Sequence, residues 1–289
     1  MFELLAQTGL NALYSASYIS LVSVGLVLIF GVMGIINFAH GELFMLGSYV
    51  VVALYARMEM PFVLVAALGL IFVGAVGLLM ERALFRPLRE NPLGGLVASI
   101  GFLMILQALA SITFGVRMAF VPPETQEVII FADKIRLPVQ RLYVIVAAFG
   151  FLTLLWLFLT KTRFGWALRA SAQDPEAAAL QGISITQTAK IAMFIGAALA
   201  GVAGALTAPL ISVNPYMGHS VIIAAFIVVI VGGIGSLAGA VVASIAYAFV
   251  QTFVTTFFDG VIADITGLSL MFLVLIVKPA GLFGTADRA

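Results

Sequence analysis

From Ile191 to Phe258 the chain runs through 68 consecutive residues without an Asp, Glu, Lys or Arg. An uncharged run of that length belongs in a lipid bilayer, because about 20 apolar residues make one membrane-crossing helix, and it is long enough for three crossings. A second uncharged run, Leu4 to Phe38, outruns a hydrocarbon core of ~30 Å at ~1.5 Å per residue and so has to break. The whole chain is 63% apolar and 9% charged, against roughly 25% charged in a soluble domain. A formal net charge of +1 over 289 residues offers no basic surface for nucleic acid, and the low polarity excludes a disordered chain. The expected fold is all-α, a polytopic transmembrane helical bundle of about 8–10 spans including broken or re-entrant segments, with residues 1–289 as a single transmembrane domain.

The first break is expected at Gly31-Val32-Met33-Gly34-Ile35-Ile36-Asn37, where two glycines and an asparagine loosen the helix. Leu43 to Ala56 then reads as a short or re-entrant span. Pro61–Met80, Leu93–Val116 and Leu142–Thr160 read as full crossings, and Ile191–Ile211 as another. The knot Ser212-Val213-Asn214-Pro215-Tyr216-Met217-Gly218-His219 ends that one, since Asn-Pro and Met-Gly punctuate helices. Gly232-Gly233-Ile234-Gly235-Ser236 divides the apolar stretch from Ser220 to Phe258, either as a surface turn or as a break inside the membrane, and Ile265–Val277 forms a last short span.

Basic residues set the orientation. One face gathers Arg82, Arg86, Arg89, Lys161, Arg163, Arg169, Lys190, Lys278 and Arg288; the other holds Arg57, Arg117, Lys134, Arg136 and Arg141. The richer face is expected to be cytoplasmic. Two spans separate the loops 81–91 and 161–190, so both lie on it. The N-terminus, Met-Phe-Glu-Leu-Leu, has neither a basic segment nor a small-residue cleavage site, so the first span is expected to be retained.

Lys161 to Lys190 is the longest loop on that face. Within it Asp174 is suited to cap a helix, Pro175 to open it, Glu176 to complement its positive end and Gly182 to stop it. One or two turns of Ala-rich helix do not hold themselves together in water. Such a helix needs packing against its own chain or a partner.

Glu176-Ala177-Ala178, followed after three residues by Gly182, resembles the EAA signature of ABC importer permeases. Matches along the chain narrow the resemblance to the branched-chain amino acid permease family with its urea and amide relatives: Gly31 through Glu42, Glu81-Arg82 with Arg86-Pro87, Phe164-Gly165 with Arg169-Ala170, Asn214-Pro215, Gly232 through Ser236, and Pro279-Ala280-Gly281-Leu282-Phe283-Gly284. The resemblance implies a permease subunit in the inner (plasma) membrane of a bacterium. Its expected partners are two ATPase subunits, a second permease subunit, identical or paralogous, and a solute-binding protein outside. Arg169, Asp174, Glu176, Ala177, Ala178 and Gly182 are the expected contacts to the ATPase. None of the lysines follows a glycine, so the chain has no phosphate-binding loop of its own. Any ATPase is then a separate polypeptide.

Asn37, His40 and Glu42, with Asn214, Gly232, Gly233 and Gly235, are the pathway or gate candidates; ionisable groups near the membrane core are costly enough to suggest a role. The plainer reading of the first three is a cytoplasmic helix end, with Glu42 capping a helix from Leu43. Asn214, Tyr216 and His219 are placed on the opposite side with Asp259 and Asp264, as is the loop Arg117 to Arg141, whose mixed charges suit a soluble partner. No cofactor or metal is expected, given the absence of cysteine and only two histidines, which also leaves little for an enzyme. An ion-coupled transporter is the alternative, and placing every Asp and Glu at a helix end or in a loop argues against it. Branched-chain or other hydrophobic amino acids, urea and short amides stay open as substrates.

Overall fold

A computed structural model describes residues 1–131 and 135–284. Asp133, Lys134 and Arg288, which bear on orientation and loop charge, lie outside the described residues. Among the described residues eleven α-helices succeed one another: α1 Phe2–Met33, α2 His40–Val50, α3 Phe62–Met80, α4 Pro92–Phe114, α5 Val139–Lys161, α6 Arg163–Gln173, α7 Pro175–Leu180, α8 Ile185–Thr207, α9 Gly218–Gly232, α10 Leu237–Phe257 and α11 Gly260–Val277. Wider π-turns extend α2 to Ala56 and α3 to Phe85, and a 3₁₀ turn carries α8 to Leu210. Seven of these helices are long and apolar enough to cross a membrane, and His40–Ala56 and Gly218–Gly232 are shorter apolar helices. The chain therefore forms an all-α bundle with broken segments. Its one addition among the described residues is an antiparallel hairpin, β1 Val128–Phe131 with β2 Ile135–Pro138, in the loop between α4 and α5.

Helices α1 and α8 make the centre: 78% and 83% of their most apolar windows are buried, against 22% for α5 and 11% for α11. Small residues set their spacing. A Cβ on Gly25 would come within 2.7 Å of the Gly196 carbonyl, and one on Gly47 within 1.9 Å of that of Gly201, so α1, α2 and α8 touch backbone to backbone as small-residue membrane interfaces do.

Both uncharged runs are cut as their length demands. Gly34, at φ +64, ends α1, and the chain returns into the bundle before α2 starts. Phe38 N–H donates to Ser99 Oγ at 3.1 Å, seven residues into α4, while Tyr49 stacks on Phe114 at the end of α4. Thus α2 starts partway along α4 and runs parallel to it. On the other side, α8 is followed by the loop 211–217 and then by α9, which runs to the end of the bundle where α6 lies. Helices α2 and α9 run in opposite senses from a common point. A Cβ on Gly41 would lie 2.2 Å from the Gly218 carbonyl, an approach that only glycine permits.

Some boundaries differ from the sequence expectation for identifiable reasons. Helix α8 starts at Ile185 rather than Ile191, because Ser184 Oγ accepts from Gln187 N–H and Lys190 is carried inside the helix. Helix α11 starts at Gly260 rather than Ile265: Asp259 caps it by accepting from Ile262 N–H at 2.8 Å, and Asp264 is held within it by Gln251 Nε2 at 2.7 Å.

Candidate functional site

The segment after α5 carries two helices where the sequence suggested one. Helix α6 opens on Thr162, whose hydroxyl accepts from Gly165 N–H at 3.0 Å; Thr162 ahead of Phe164-Gly165 was the legible signal. Gly165 packs on α5 so closely that a Cβ there would sit 2.2 Å from the Phe158 carbonyl. Helix α7 is built as its residues suggest. Asp174 Oδ1 accepts from Glu176 N–H at 3.0 Å and Ala177 N–H at 2.9 Å, Pro175 opens the helix, and Gly182 turns the chain at φ +82. Ala178 is buried, whereas Glu176, Ala177 and Ala179 are exposed and Leu180 is 87% exposed. A six-residue helix with one buried side chain is pinned to its own chain on one face and open on the other.

Arg169 sits on α6 at a cleft of about 370 Å³ that is also lined by Val32 at the end of α1, by Gly235 and Ser236 between α9 and α10, and by Phe283 and Gly284 of the tail. The turn at Gly232–Ser236 therefore lies at the α6 end of the bundle and is not a break midway along a helix. The tail is strapped to it: Leu282 N–H donates to the Val231 carbonyl at 2.8 Å and Phe283 N–H to that of Gly232 at 3.0 Å. Gly233, at φ +103, and Gly281, at φ +78, lie in van der Waals contact. Two glycine-rich stretches some 50 residues apart are thus one structure. The N-terminus lies at the opposite end, where Gln7 Nε2 donates to the Arg136 carbonyl and Arg136 N–H donates to Gln7 Oε1.

The greatest departure concerns Asn37, His40 and Glu42. They do not mark an end of the bundle. Ala39 precedes α2 without a side-chain cap, and Glu42 does not cap the helix; its Oε1 accepts from Gln107 Nε2 at 2.9 Å, fifteen residues into α4. The same Gln107 nitrogen donates to His219 Nδ1 at 3.0 Å, and the Glu42 carboxyl lies against Gly218. His219 is therefore not remote from the Asn37–Glu42 segment, as the assignment to opposite faces required. Glu42 does lie at a helix end, in the first turn of α2, but that end is inside the bundle and the residue is fully buried. Nearby, His40 Nε2 donates to the Val22 carbonyl at 3.0 Å. Asn37 Nδ2, His40 Nδ1 and Glu42 Oε2 have no hydrogen-bond partner among the described residues. Sequence could not have paired Glu42 with His219, which are brought together only by the return of two broken helices.

Asn214 has a local task, accepting from Tyr216 N–H at 3.0 Å, and it lines a cavity of about 260 Å³ with Tyr14, Tyr18 and Phe44. Among the described residues no group of three metal-ligating side chains occurs.

The family model for the permease component of branched-chain amino acid transport systems matches residues 9–277. The high-affinity branched-chain amino acid transport system permease protein LivH of Escherichia coli is 32% identical, with 96% of this chain and 94% of that one covered. BraD of Pseudomonas aeruginosa, a permease protein of the same kind of system, is 31% identical over 96% and 95%. A probable branched-chain amino acid transport permease of Methanocaldococcus jannaschii is 31% identical over 95% and 91%. Among solved structures, PsaBC from Streptococcus pneumoniae in complex with Fab matches 94% of this chain and 92% of that one at a TM-score of 0.53 and 14% identity, a likeness of fold.

Proposed function

The chain belongs to the branched-chain amino acid permease family, and from that premise we propose that it is the transmembrane permease subunit of a binding-protein-dependent ABC importer in the inner membrane of a bacterium, translocating branched-chain or other hydrophobic amino acids. The observation that carries the reading is α7, a capped helix whose Glu176, Ala177, Ala179 and Leu180 are left uncovered by the chain itself. A separate ATPase subunit docks there, with Arg169, Asp174, Glu176, Ala177, Ala178 and Gly182 forming or holding the contact. The excess of Lys and Arg at the α6 end supports a cytoplasmic position for it.

The mechanical path is short. Helix α6 comes after α5 with the single residue Thr162 between them, so a push on α7 reaches α5 through α6. Helix α6 also borders the cleft shared with α1 and the Gly232–Gly235 turn, so the same push bears on the ends of α1, α9 and α10. Two ATPase subunits closing on ATP need two such levers, which a second permease subunit supplies; each permease of 289 residues acts as one unit. Asn37, His40, Glu42, Asn214, Gly232, Gly233 and Gly235 border the pathway or its gate in this reading.

The test is uptake of radiolabelled leucine by vesicles holding the assembled transporter, with its binding protein outside. Glu176→Lys and Gly182→Pro are expected to lower uptake at least tenfold while the permease still inserts and purifies. Uptake within twofold of wild type in both variants would overturn the coupling role.

A further inference from the structure

The cavity that Asn214 lines is walled by four helices that meet near the two helix breaks: Tyr14 and Tyr18 come from α1, Phe44 from α2, Thr207 from the end of α8, and Ser220 and Val221 from α9. Its fourth side is the loop 211–217. Val213 of that loop and Ala119, beyond the end of α4, exchange N–H to carbonyl bonds at 2.8 and 2.9 Å, which pins the loop at the end of the bundle away from α7. Helix α9 has 15 residues and, at ~1.5 Å each, rises ~22 Å from the α6 end, so its start falls short of the far side of a ~30 Å hydrocarbon core. The cavity therefore occupies the outer part of the core, and its rim reaches the surface at exposed Ser220.

Apolar surface and uncharged hydrogen-bonding groups share the lining, and no charged side chain contributes to it. Tyr14, Tyr18 and Phe44 touch in series, with ring centroids 5.6 and 6.1 Å apart, and make one aromatic wall. The polar groups differ in what they have left to offer. Thr207 and Ser220 donate their hydroxyl protons to the carbonyls of Ala203 at 2.8 Å and Met217 at 3.1 Å, so each presents only an acceptor. Asn214 uses its oxygen for Tyr216 N–H and keeps its amide donors. Tyr14 is 8% exposed, and its hydroxyl is buried with no hydrogen-bond partner among the described residues. A buried hydroxyl left unpaired costs stability that a phenylalanine ring would not. A free ion would find no countercharge here, and a lipid chain would leave the polar groups unanswered. Donors and acceptors without charge beside an aromatic wall suit a solute of zero net charge with an aliphatic part. The volume of about 260 Å³, just under the roughly 300–1,000 Å³ of sites for drug-sized ligands, admits one such small molecule.

We infer that this cavity is where the permease holds the amino acid as it enters from outside, with the aliphatic side chain on the Tyr14–Tyr18–Phe44 wall and the zwitterionic end among Thr207, Asn214 and Ser220. The inference rests on the permease function proposed for the chain and adds to it a reason for selectivity within the membrane. Its walls include the starts of both broken helices, which touch at Gly41 and Gly218. Displacing either helix changes the room inside, so the same cavity can accept a solute and release it.

The experiment measures uptake of leucine and of valine per assembled complex in vesicles, with one binding protein throughout, for wild type and Val221→Phe, which sets a larger side chain into the cavity. In a fitted apolar pocket one methylene is worth about tenfold or more in discrimination, so the leucine-to-valine ratio is expected to fall at least threefold. Damage to folding or coupling would lower both rates alike and leave the ratio unchanged. A smaller fall in the ratio, whatever the rates, would overturn the site and leave the permease reading standing. Should Val221→Phe not assemble, Ser220→Cys decides, at an exposed position in a chain without cysteine. Its maleimide labelling in the assembled transporter is expected to slow at least threefold in saturating leucine and to be unaffected by glutamate; a smaller slowing, or an equal one with glutamate, would overturn the site. Absence of leucine uptake by wild type would overturn the permease reading, and the site with it.

Discussion

Glu81 shows how a single charge is kept at a membrane helix end. It is fully buried, accepts from Arg86 Nη2 at 2.6 Å and Nε at 3.2 Å, and has Arg89 Nη2 at 3.6 Å. The paired hydrogen bonds hold the Arg86 guanidinium protonated beyond its ordinary range. A buried pair adds little net stability when intact, but removing one partner strands the other. Glu81→Gln is therefore expected to lower the melting temperature of the purified protein by about 5 °C or more, in line with the usual few degrees per kcal/mol. Arg82→Gln, at an exposed position one residue on, should shift it by under about 1 °C, as surface substitutions do. Equal shifts in a thermal melt would mean that position, not pairing, decides. The neighbouring Glu81-Arg82 and Arg86-Pro87 were visible in the sequence as a pattern; that the charges at 81 and 86 close on each other comes from the helix widening to a π-turn over Glu81–Phe85, which no periodicity announces.

Among the elements, the legible ones are those whose ends are chemically marked. Leu93–Val116 and Leu142–Thr160 were readable to within three residues, because Asn91-Pro92 and Lys161-Thr162 punctuate them; Asn91 indeed caps α4 through Gly94 N–H at 2.9 Å. Helix α7 was readable for the same reason. Helix α6 was marked only by its Thr162 cap, since its polar composition resembles a loop and it packs against α5. The starts of α2 and α9 were readable to within three residues, but not their depth in the bundle, because an apolar run carries no record of where it doubles back. For α7 the cap is decisive at this length: Asp174→Ala removes an acceptor shared by two N–H groups, at a cost of about 1 kcal/mol, and frays a helix of six residues. Leucine uptake is expected to fall about fivefold, in keeping with that cost, and to stay near wild type in Asp174→Asn, which caps equally well. An Asp174→Asn variant as impaired as the alanine would show that the charge, and not the helix, is the feature the ATPase reads.

At the scale of the molecule, the two broken helices give the bundle its logic. Each comes after a long central helix, α1 or α8, and each starts inside and runs out to the opposite end. Because α2 and α9 share a starting point at Gly41 and Gly218, movement of either end changes the packing at one internal place, as in other transporters built from discontinuous helices. This arrangement has a checkable polarity. Leu180 on α7 and Met118 after α4 are both exposed, at 87% and 61%, and they lie at opposite ends of the bundle. Since the chain has no cysteine, Leu180→Cys and Met118→Cys each introduce a single target. In intact cells a membrane-impermeant maleimide is expected to label Met118→Cys and to leave Leu180→Cys untouched, with the pattern reversed in inside-out vesicles. Labelling of Leu180→Cys from outside would place α7 beyond the reach of a cytoplasmic ATPase, and the lever at that end of the bundle would have nothing to move it.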